Sequence, residues 1–177
     1  DREARKLLAP KRSASVFPAP ARQTLKAGGY EEAQHINRRS NGKGLSRQSW
    51  NIVRKIREVD DLLSSRQTLR GVVRECHPEL CFWALNGNQA MQFNKKQEAG
   101  KLERLSVLED YFEQCHHLFE QACSEFLRRQ LARDDIIDAM VCAVTARHGY
   151  KTYHRVPSSP HKDMTGLPME IVYWSPE

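Results

Sequence analysis

The sequence predicts a helix-rich α/β protein, because of the spacing of its apolar residues and the position of its helix-ending residues. Most apolar residues recur every three or four positions, as they do on one face of a helix. A few short segments instead alternate apolar and polar residues, as strands do. A chain of 177 residues is long enough for one hydrophobic core, so a single domain over residues 1–177 is expected.

The first part of the chain is predicted to contain helices separated by loops. Residues 1–9 form a helix that Pro10 ends, and an extended connection anchored by Val16 and Phe17 follows. Ser46 is the expected N-cap of the longest helix, since its side chain accepts a hydrogen bond from a free N–H group. The helices expected after the connection cover residues 21–27, 30–40 and 46–64.

The second part is predicted to mix short strands with longer helices. The β-branched pair Val72 and Val73 leads into a strand over 72–77, and Pro78 suits the first position of a helix. Alternation at 91–93 indicates an edge strand. Further helices are expected over 78–87, 97–112, 118–131 and from Asp134 or Asp135 to His148, with strands over 151–156 and 169–174.

Charge is unevenly distributed along the chain. Residues 1–57 contain 14 Lys/Arg against 4 Asp/Glu, whereas the remainder contains 14 against 18. A basic segment joined to a mildly acidic one predicts a polyanion such as nucleic acid as partner, beside a carboxylate-rich site. Solvated helix faces give the same composition, so charge alone does not decide between the two interpretations.

Membrane association and disulfide bonding are not expected. No apolar run approaches the roughly 18 residues that span a bilayer, and no charged segment followed by an apolar one opens the chain. The five cysteines are odd in number and form no CxxC pair, which favours reduced thiols in the cytoplasm.

The helix DDIIDAMVCAVTARHG carries the first candidate site. It is apolar on nearly every side and is therefore expected to be largely buried. Asp134 and Asp135 suit a helix start, but Asp138 lies a turn inside, where a carboxylate needs a cation, a metal or hydrogen bonds. Asp135 and Asp138 are three residues apart and are expected to share one cation. The alternative is a capping pair with one acid hydrogen-bonded locally.

The segment RECHPEL, residues 74–80, carries the second candidate site. On an extended backbone Glu75 shares a face with Val73, near the end of a strand where functional groups collect in α/β sheets. His77 and Glu79 are expected as N-cap and first-turn acid of the next helix, with His77 also a secondary site candidate.

Three carboxylates, Glu75, Asp135 and Asp138, are candidates to converge on a divalent metal ion. Oxygen-only ligation suits Mg²⁺ or Mn²⁺ rather than zinc. Two such ions would activate a water molecule and stabilise the leaving oxygen of a phosphodiester. This chemistry is compatible with a nucleic-acid partner.

The DxxDA string formed by Asp135, Asp138 and Ala139 resembles the last catalytic helix of RuvC-like Holliday-junction resolvases, members of the RNase H-like superfamily. Along the whole chain, the sequence resembles a widespread family of unknown function described as predicted RNase H-like nucleases. The motifs that carry this resemblance, in order, are DREARKLL, SVFPAP, GLSRQSW, KIREVD, ECHPELCFWALNG, NKKQEAGKLERL, DDIIDA and GLPMEIVYW.

The resemblance implies an RNase H-like core and a metal-dependent nuclease site. By position, Glu75 matches the strand carboxylate, and Asp135 with Asp138 matches the final-helix pair. Lys95, Lys96 and Arg104 lie in the family's lysine-glycine-arginine segment and are implied to hold phosphate. Solvated charges on an amphipathic helix explain these three equally well.

The chain departs from that pattern at its start. Family members usually begin with a strand that carries the first catalytic aspartate, whereas this sequence opens at Asp1 in a helical pattern. We therefore expect an incomplete RNase H-like core, either a fragment or a protein without the opening strands, that is short of one metal ligand. The leading interpretation is a metal-dependent nuclease. The alternative is a non-catalytic nucleic-acid-binding or interaction module with the same fold.

Overall fold

The helices of the protein largely follow the apolar spacing of its sequence. The computed structural model describes residues 1–176, which contain seven α-helices and one two-stranded sheet. This confirms a helix-rich protein with some strand, while the RNase H-like core stays a prediction. The elements are α1 Arg2–Leu7, α2 Tyr30–Asn41, α3 Arg47–Ser65, α4 Pro78–Leu85, α5 Glu98–Glu109, α6 Cys115–Glu125, α7 Arg133–Gly149, β1 His154–Val156 and β2 Ile171–Tyr173.

The described residues divide into two units. The first contains Asp1, residues 17–74 and residues 163–167, and the second contains residues 2–16, residues 75–162 and the chain from Pro168 onward. The single domain predicted over 1–177 therefore stays a prediction. No helix within residues 1–176 is both long enough and apolar enough to cross a membrane.

The first unit is built on α2 and α3. Ser46 caps α3 as predicted, and its Oγ accepts a hydrogen bond from the Ser49 N–H at 3.0 Å. Gly42 ends α2 in the left-handed conformation at φ 69°, which glycine adopts without steric cost. The buried apolar cluster of this unit comprises Leu25, Ala27, Ala33, Leu45 and Val53.

The second unit is built around α7, which packs against α4, α5 and α6. A helix that is apolar on most sides needs neighbours on most sides, and these three helices supply them. The main buried cluster comprises Cys81, Phe82, Leu85, Met91, Leu105, Leu108, Cys115, Phe119, Ile136, Ile137, Met140, Val141 and Val144. All the residues predicted to form the functional site belong to this unit.

The strand predicted over 72–77 is reduced to one parallel bridge, between Cys76 and Val172 of β2. A 3₁₀ turn over Gln67–Gly71 precedes it and leaves Val72 in a helical conformation, so the backbone becomes extended only near Glu75. The Val172 N–H donates a hydrogen bond to the Glu75 carbonyl at 2.7 Å. On its other side β2 pairs antiparallel with β1.

The predicted edge strand at 91–93 is not formed. Met91 is fully buried in the main cluster, and its carbonyl accepts a hydrogen bond from Arg12 Nε at 2.8 Å. The Phe93 carbonyl accepts one from Arg104. Arginine side chains thus donate hydrogen bonds to the carbonyl groups that would otherwise have bonded to a neighbouring strand. This segment leads directly into α5, and the Cβ of any larger residue at Gly100 would lie 2.0 Å from the Asn94 carbonyl oxygen.

Candidate functional site

Lys95 joins two carboxylates at the start of α7. Its Nζ lies 2.6 Å from Asp138 Oδ2 and 3.3 Å from Asp134 Oδ2. The sequence predicted that Asp135 would share a cation with Asp138, but the structure gives that position to Asp134. The four-residue spacing of Asp134 and Asp138 is the signal that would have identified this pair.

Asp135 lies on a different side of α7. Successive helical residues are rotated by about 100° around the helix axis. Viewed along the axis, Asp134 is therefore rotated by about 40° from Asp138 in one direction, and Asp135 by about 60° in the other. The Asp135 side chain is exposed and lines an apolar cavity with Ile136 and Met140. The structure therefore does not bring Asp135 and Asp138 to one cation.

Burial and neighbouring charges act on the Asp138 carboxyl in opposite directions. Burial raises the pKa of Asp138, and the charges of Asp134 and Glu79 raise it further. The hydrogen bond and charge of Lys95 lower this pKa, but the net result is a raised pKa. Burial alone would lower the pKa of Lys95, but Asp138 and Asp134 outweigh burial and raise it. Lys95, Asp134 and Asp138 thus form one cluster in which a single cation faces two carboxyl groups.

Neither Glu75 nor His77 forms an ion pair with this cluster within the described chain, although the charge of Asp138 acts on the His77 ring. The Glu75 side chain reaches solvent, yet desolvation by the surrounding protein raises the pKa of its carboxyl. His77 occupies the N-cap position of α4 as predicted, although its side chain makes no capping hydrogen bond. Its Nε2 lies 3.2 Å from the Ser15 carbonyl oxygen, and burial lowers its pKa. Within residues 1–176, no hydrogen bond or ion pair joins Glu75 to Asp135 or Asp138.

The described carboxylates do not assemble the expected metal site. Among residues 1–176, no group of three or more His, Cys, Asp or Glu side chains is arranged to hold a metal ion. The ammonium group of Lys95 already pairs with both Asp134 and Asp138. The Mg²⁺ or Mn²⁺ site expected from Glu75, Asp135 and Asp138 therefore stays a prediction.

Arg104, predicted to hold phosphate, is instead part of the core. It is 1% exposed, and its Nη2 lies 3.0 Å from both carboxylate oxygens of Glu79. Its Nη1 donates hydrogen bonds to the carbonyls of Gly100 and Phe93 at 2.9 and 3.2 Å. One guanidinium nitrogen thus serves the carboxylate and the other serves two carbonyls, and this supply of several donors explains why an arginine suits the position. Arg104 thus has no free face for a ligand.

Basic side chains surround a cavity of about 270 Å³ beside Asp134. It opens between the start of α5 and the start of α7, where the first N–H groups of each helix favour anions. Glu98 and Asp134 are the carboxylates of its wall. The basic residues of the wall are Lys95, Lys96, Lys101, Arg128 and Arg133, so cations outnumber carboxylates by five to two.

Sequence reasoning identified Lys95 and Lys96 as phosphate ligands but missed the other three cations of the cavity. Arg128 and Arg133 flank the start of α7 and are separated from Lys101 by the whole of α6. The signal available in the sequence was the basic cluster directly before the DxxDA string. Only the packing of α5 against α7 shows that these segments meet.

Three cysteines meet beneath the Glu75 segment. Cys76 Sγ lies 3.3 Å from Cys142 Sγ of α7, and hydrogen bonds to Cys142 and Cys81 lower the pKa of Cys76. The cysteines of the described chain are all free thiols. These contacts hold the extended segment that carries Glu75 against the helix that carries Asp138.

A family model described as "Protein of unknown function (DUF429)" matches residues 1–162. No curated protein and no solved structure matches the chain.

Replacing Arg104 with alanine is expected to lower the free energy of unfolding by about 3 kcal/mol or more, because it leaves the buried Glu79 carboxylate without its main partner. Glu58→Ala, which breaks the exposed pair with Arg54, is expected to cost less than about 1 kcal/mol. Urea denaturation followed by circular dichroism measures both. The double variant Arg104→Met with Glu79→Leu should recover most of the loss, and equal losses in the two single variants would contradict the structural role of Arg104.

The pKa of Asp138 is expected to rise further in Lys95→Met, since the variant removes the cation that stabilises the carboxylate. A raised pKa in the folded state means that this group's contribution to stability is present below the ordinary aspartate pKa and is lost as the pH rises through the raised value. NMR titration of the side-chain carboxyl carbon measures the shift. Lys96→Met is the control, because Lys96 forms no ion pair with Asp138 within the described chain. An unchanged pKa in Lys95→Met would contradict the ion pair.

Proposed function

The chain belongs to the DUF429 family of proteins of unknown function, and we propose that it binds nucleic acid through backbone phosphates at the basic cavity beside α7. The observation that carries the proposal is the convergence of Lys and Arg side chains from the start of α5 and from the residues that lead into α7. Phosphate oxygens are the preferred partners of such a cluster. The chain's net charge of +6 attracts the same class of ligand, but the excess of positive charge lies in residues 1–57 and not in the part of the chain that lines this cavity.

The cations of the cavity differ in how far they are already neutralised. Lys95 is shared by Asp134 and Asp138, and Lys101 Nζ lies 2.6 Å from Glu98 Oε1. The cavity's other cations are exposed and form no ion pair with a carboxylate of the described chain; they are Lys96, Arg128 and Arg133. These three have their full charge available for phosphate.

The proposed binding is not specific for nucleotide sequence. Contacts to phosphate orient a protein on nucleic acid but carry no direct information about the bases. Seven of the ten residues that line the cavity are charged and the others are Gln97, Ala132 and Ile137, so the described wall offers no aromatic side chain on which a base could stack. We also propose a cytoplasmic location, which the free thiols of the described cysteines support.

A second candidate function is the metal-dependent nuclease that the resemblance to RNase H-like proteins implies. The observation in its favour is position, because Asp134 lines the basic cavity and Asp138 shares Lys95 with it. Carboxylates thus lie beside the place where a phosphodiester would bind. The activity would require Mg²⁺ or Mn²⁺ and an RNase H-like core, both of which are part of this proposal.

Phosphate binding is tested by fluorescence anisotropy with labelled single-stranded and duplex oligonucleotides at several salt concentrations. The affinity of the native chain should fall as salt rises, and replacing Arg128 or Arg133 with alanine should reduce the slope of log K against log salt by about 0.7–0.9. Lys151→Ala removes an exposed cation at the opposite end of α7 and should change nothing. Affinity that is indifferent to salt, or to both arginine substitutions, would contradict the proposal.

The nuclease candidate is tested by incubating the chain with single-stranded, duplex and branched nucleic acids in Mg²⁺ or Mn²⁺. If it is right, cleavage requires the metal ion and is lost in Asp138→Asn, whereas Lys151→Ala cleaves like the native chain. Cleavage that is unchanged in Asp138→Asn would exclude this carboxylate from the chemistry. Binding without cleavage would leave the phosphate-binding function as the activity of the chain.

A further inference from the structure

One side of α7 is open although the helix is apolar on nearly every side. The sequence predicts that such a helix is largely buried, and α4, α5 and α6 do cover most of it. Four residues at a regular spacing of four are nevertheless exposed: Asp135, Ala139, Ala143 and Arg147. We call these four residues the α7 stripe.

An apolar groove lies beside the α7 stripe. Its volume is about 480 Å³, and α6, α7 and the residues that connect α5 to α6 form its walls. Leu118 of α6 is 41% exposed at this groove. The remaining apolar side chains of the wall include Phe112, Leu131, Ile136, Met140 and Val144. Ile136, Met140 and Val144 are themselves buried, so the exposed apolar residues of the groove are Leu118 and the two alanines of the α7 stripe.

The charges of the α7 stripe are arranged symmetrically. Asp135 and Arg147 each lie six residues from Val141, and Ala139 and Ala143 each lie two residues from it. Suppose that two copies of α7 cross antiparallel with their α7 stripes in contact, and that the two-fold axis between them lies at the level of Val141 along each helix. Asp135 of each copy then meets Arg147 of the other, and Ala139 meets Ala143.

This pairing satisfies the physical requirements of a helix–helix contact. Asp135 and Arg147 are separated by about 18 Å along the axis, so each charge pair sits at one end of the contact. Rows spaced by four residues pack in one another's grooves at about 50°, and the alanines let the two backbones approach closely. Neither Asp135 nor Arg147 forms an ion pair with another side chain of the described chain, so both charges are available.

We propose that the α7 stripe and the adjoining groove are the interface of a homodimer, with a second copy of this chain as the occupant. The α7 stripe is complementary in charge to a second, antiparallel copy of itself. This identifies the occupant, since a two-fold contact brings the same patch of both copies together. The proposed interface is separate from the basic cavity, because no residue of the α7 stripe lines that cavity. The antiparallel arrangement also places helix dipoles of opposite direction side by side.

The test is sedimentation equilibrium of the full chain across a micromolar concentration range. The native chain is expected to be dimeric in a concentration-dependent manner. Arg147→Asp places like charges together at both ends of the contact and should raise the dimer dissociation constant at least about tenfold, or about 1.4 kcal/mol. Asp135→Arg should do the same.

The double variant Asp135→Arg with Arg147→Asp restores opposite charges across the two-fold axis and should restore the dimer. Arg129→Asp is the matched control, because it makes the same charge change at an exposed residue outside the α7 stripe. Circular dichroism confirms that each variant is folded. A native chain that is monomeric at all concentrations would overturn the proposal. So would a dimer that tolerates Arg147→Asp, or a double variant that stays monomeric.

Discussion

The buried ion pair between Arg104 and Glu79 is the interaction on which the second unit depends. It joins α5 to α4 through two hydrogen bonds of 3.0 Å, with both residues almost excluded from solvent. The same guanidinium holds the carbonyls of Phe93 and Gly100 and so fixes the segment that carries Lys95. Lys95 then reaches Asp138 on α7. The geometry of the candidate site is therefore set by a charge that the core cannot leave unpaired.

The sequence was informative about helices and less so about strands, for a physical reason. Helix signals are local: the Ser46 cap, the first-position Pro78 and the apolar spacing of α7 all act within a few residues. Strands depend on a partner that sequence spacing does not reveal. The segment at 91–93 alternates like an edge strand, but distant arginines take its carbonyl groups, and the strand at 72–77 is shortened by the 3₁₀ turn before it.

The sequence predicts the site best where a charged residue lies among apolar ones. Asp138 was identified because a carboxylate inside an apolar helix requires a partner, and the structure supplies Lys95. The three-residue spacing predicts that Asp135 shares a cation with Asp138, whereas the four-residue spacing of Asp134 and Asp138 is the one that brings two carboxylates to Lys95. Arg104 could not be distinguished from a surface cation without its partner Glu79. The cations of the cavity come from segments about 30 residues apart, so only the packing of α5 on α7 brings them together.

Hydrogen–deuterium exchange of the full chain, with and without a saturating oligonucleotide, tests the phosphate-binding account most directly. The account predicts slower amide exchange over residues 95–101 and 128–138, the two segments that form the basic cavity. It predicts no change over β1. Protection confined to α2 and α3, with both cavity segments unchanged, would show that nucleic acid binds elsewhere and would contradict the account.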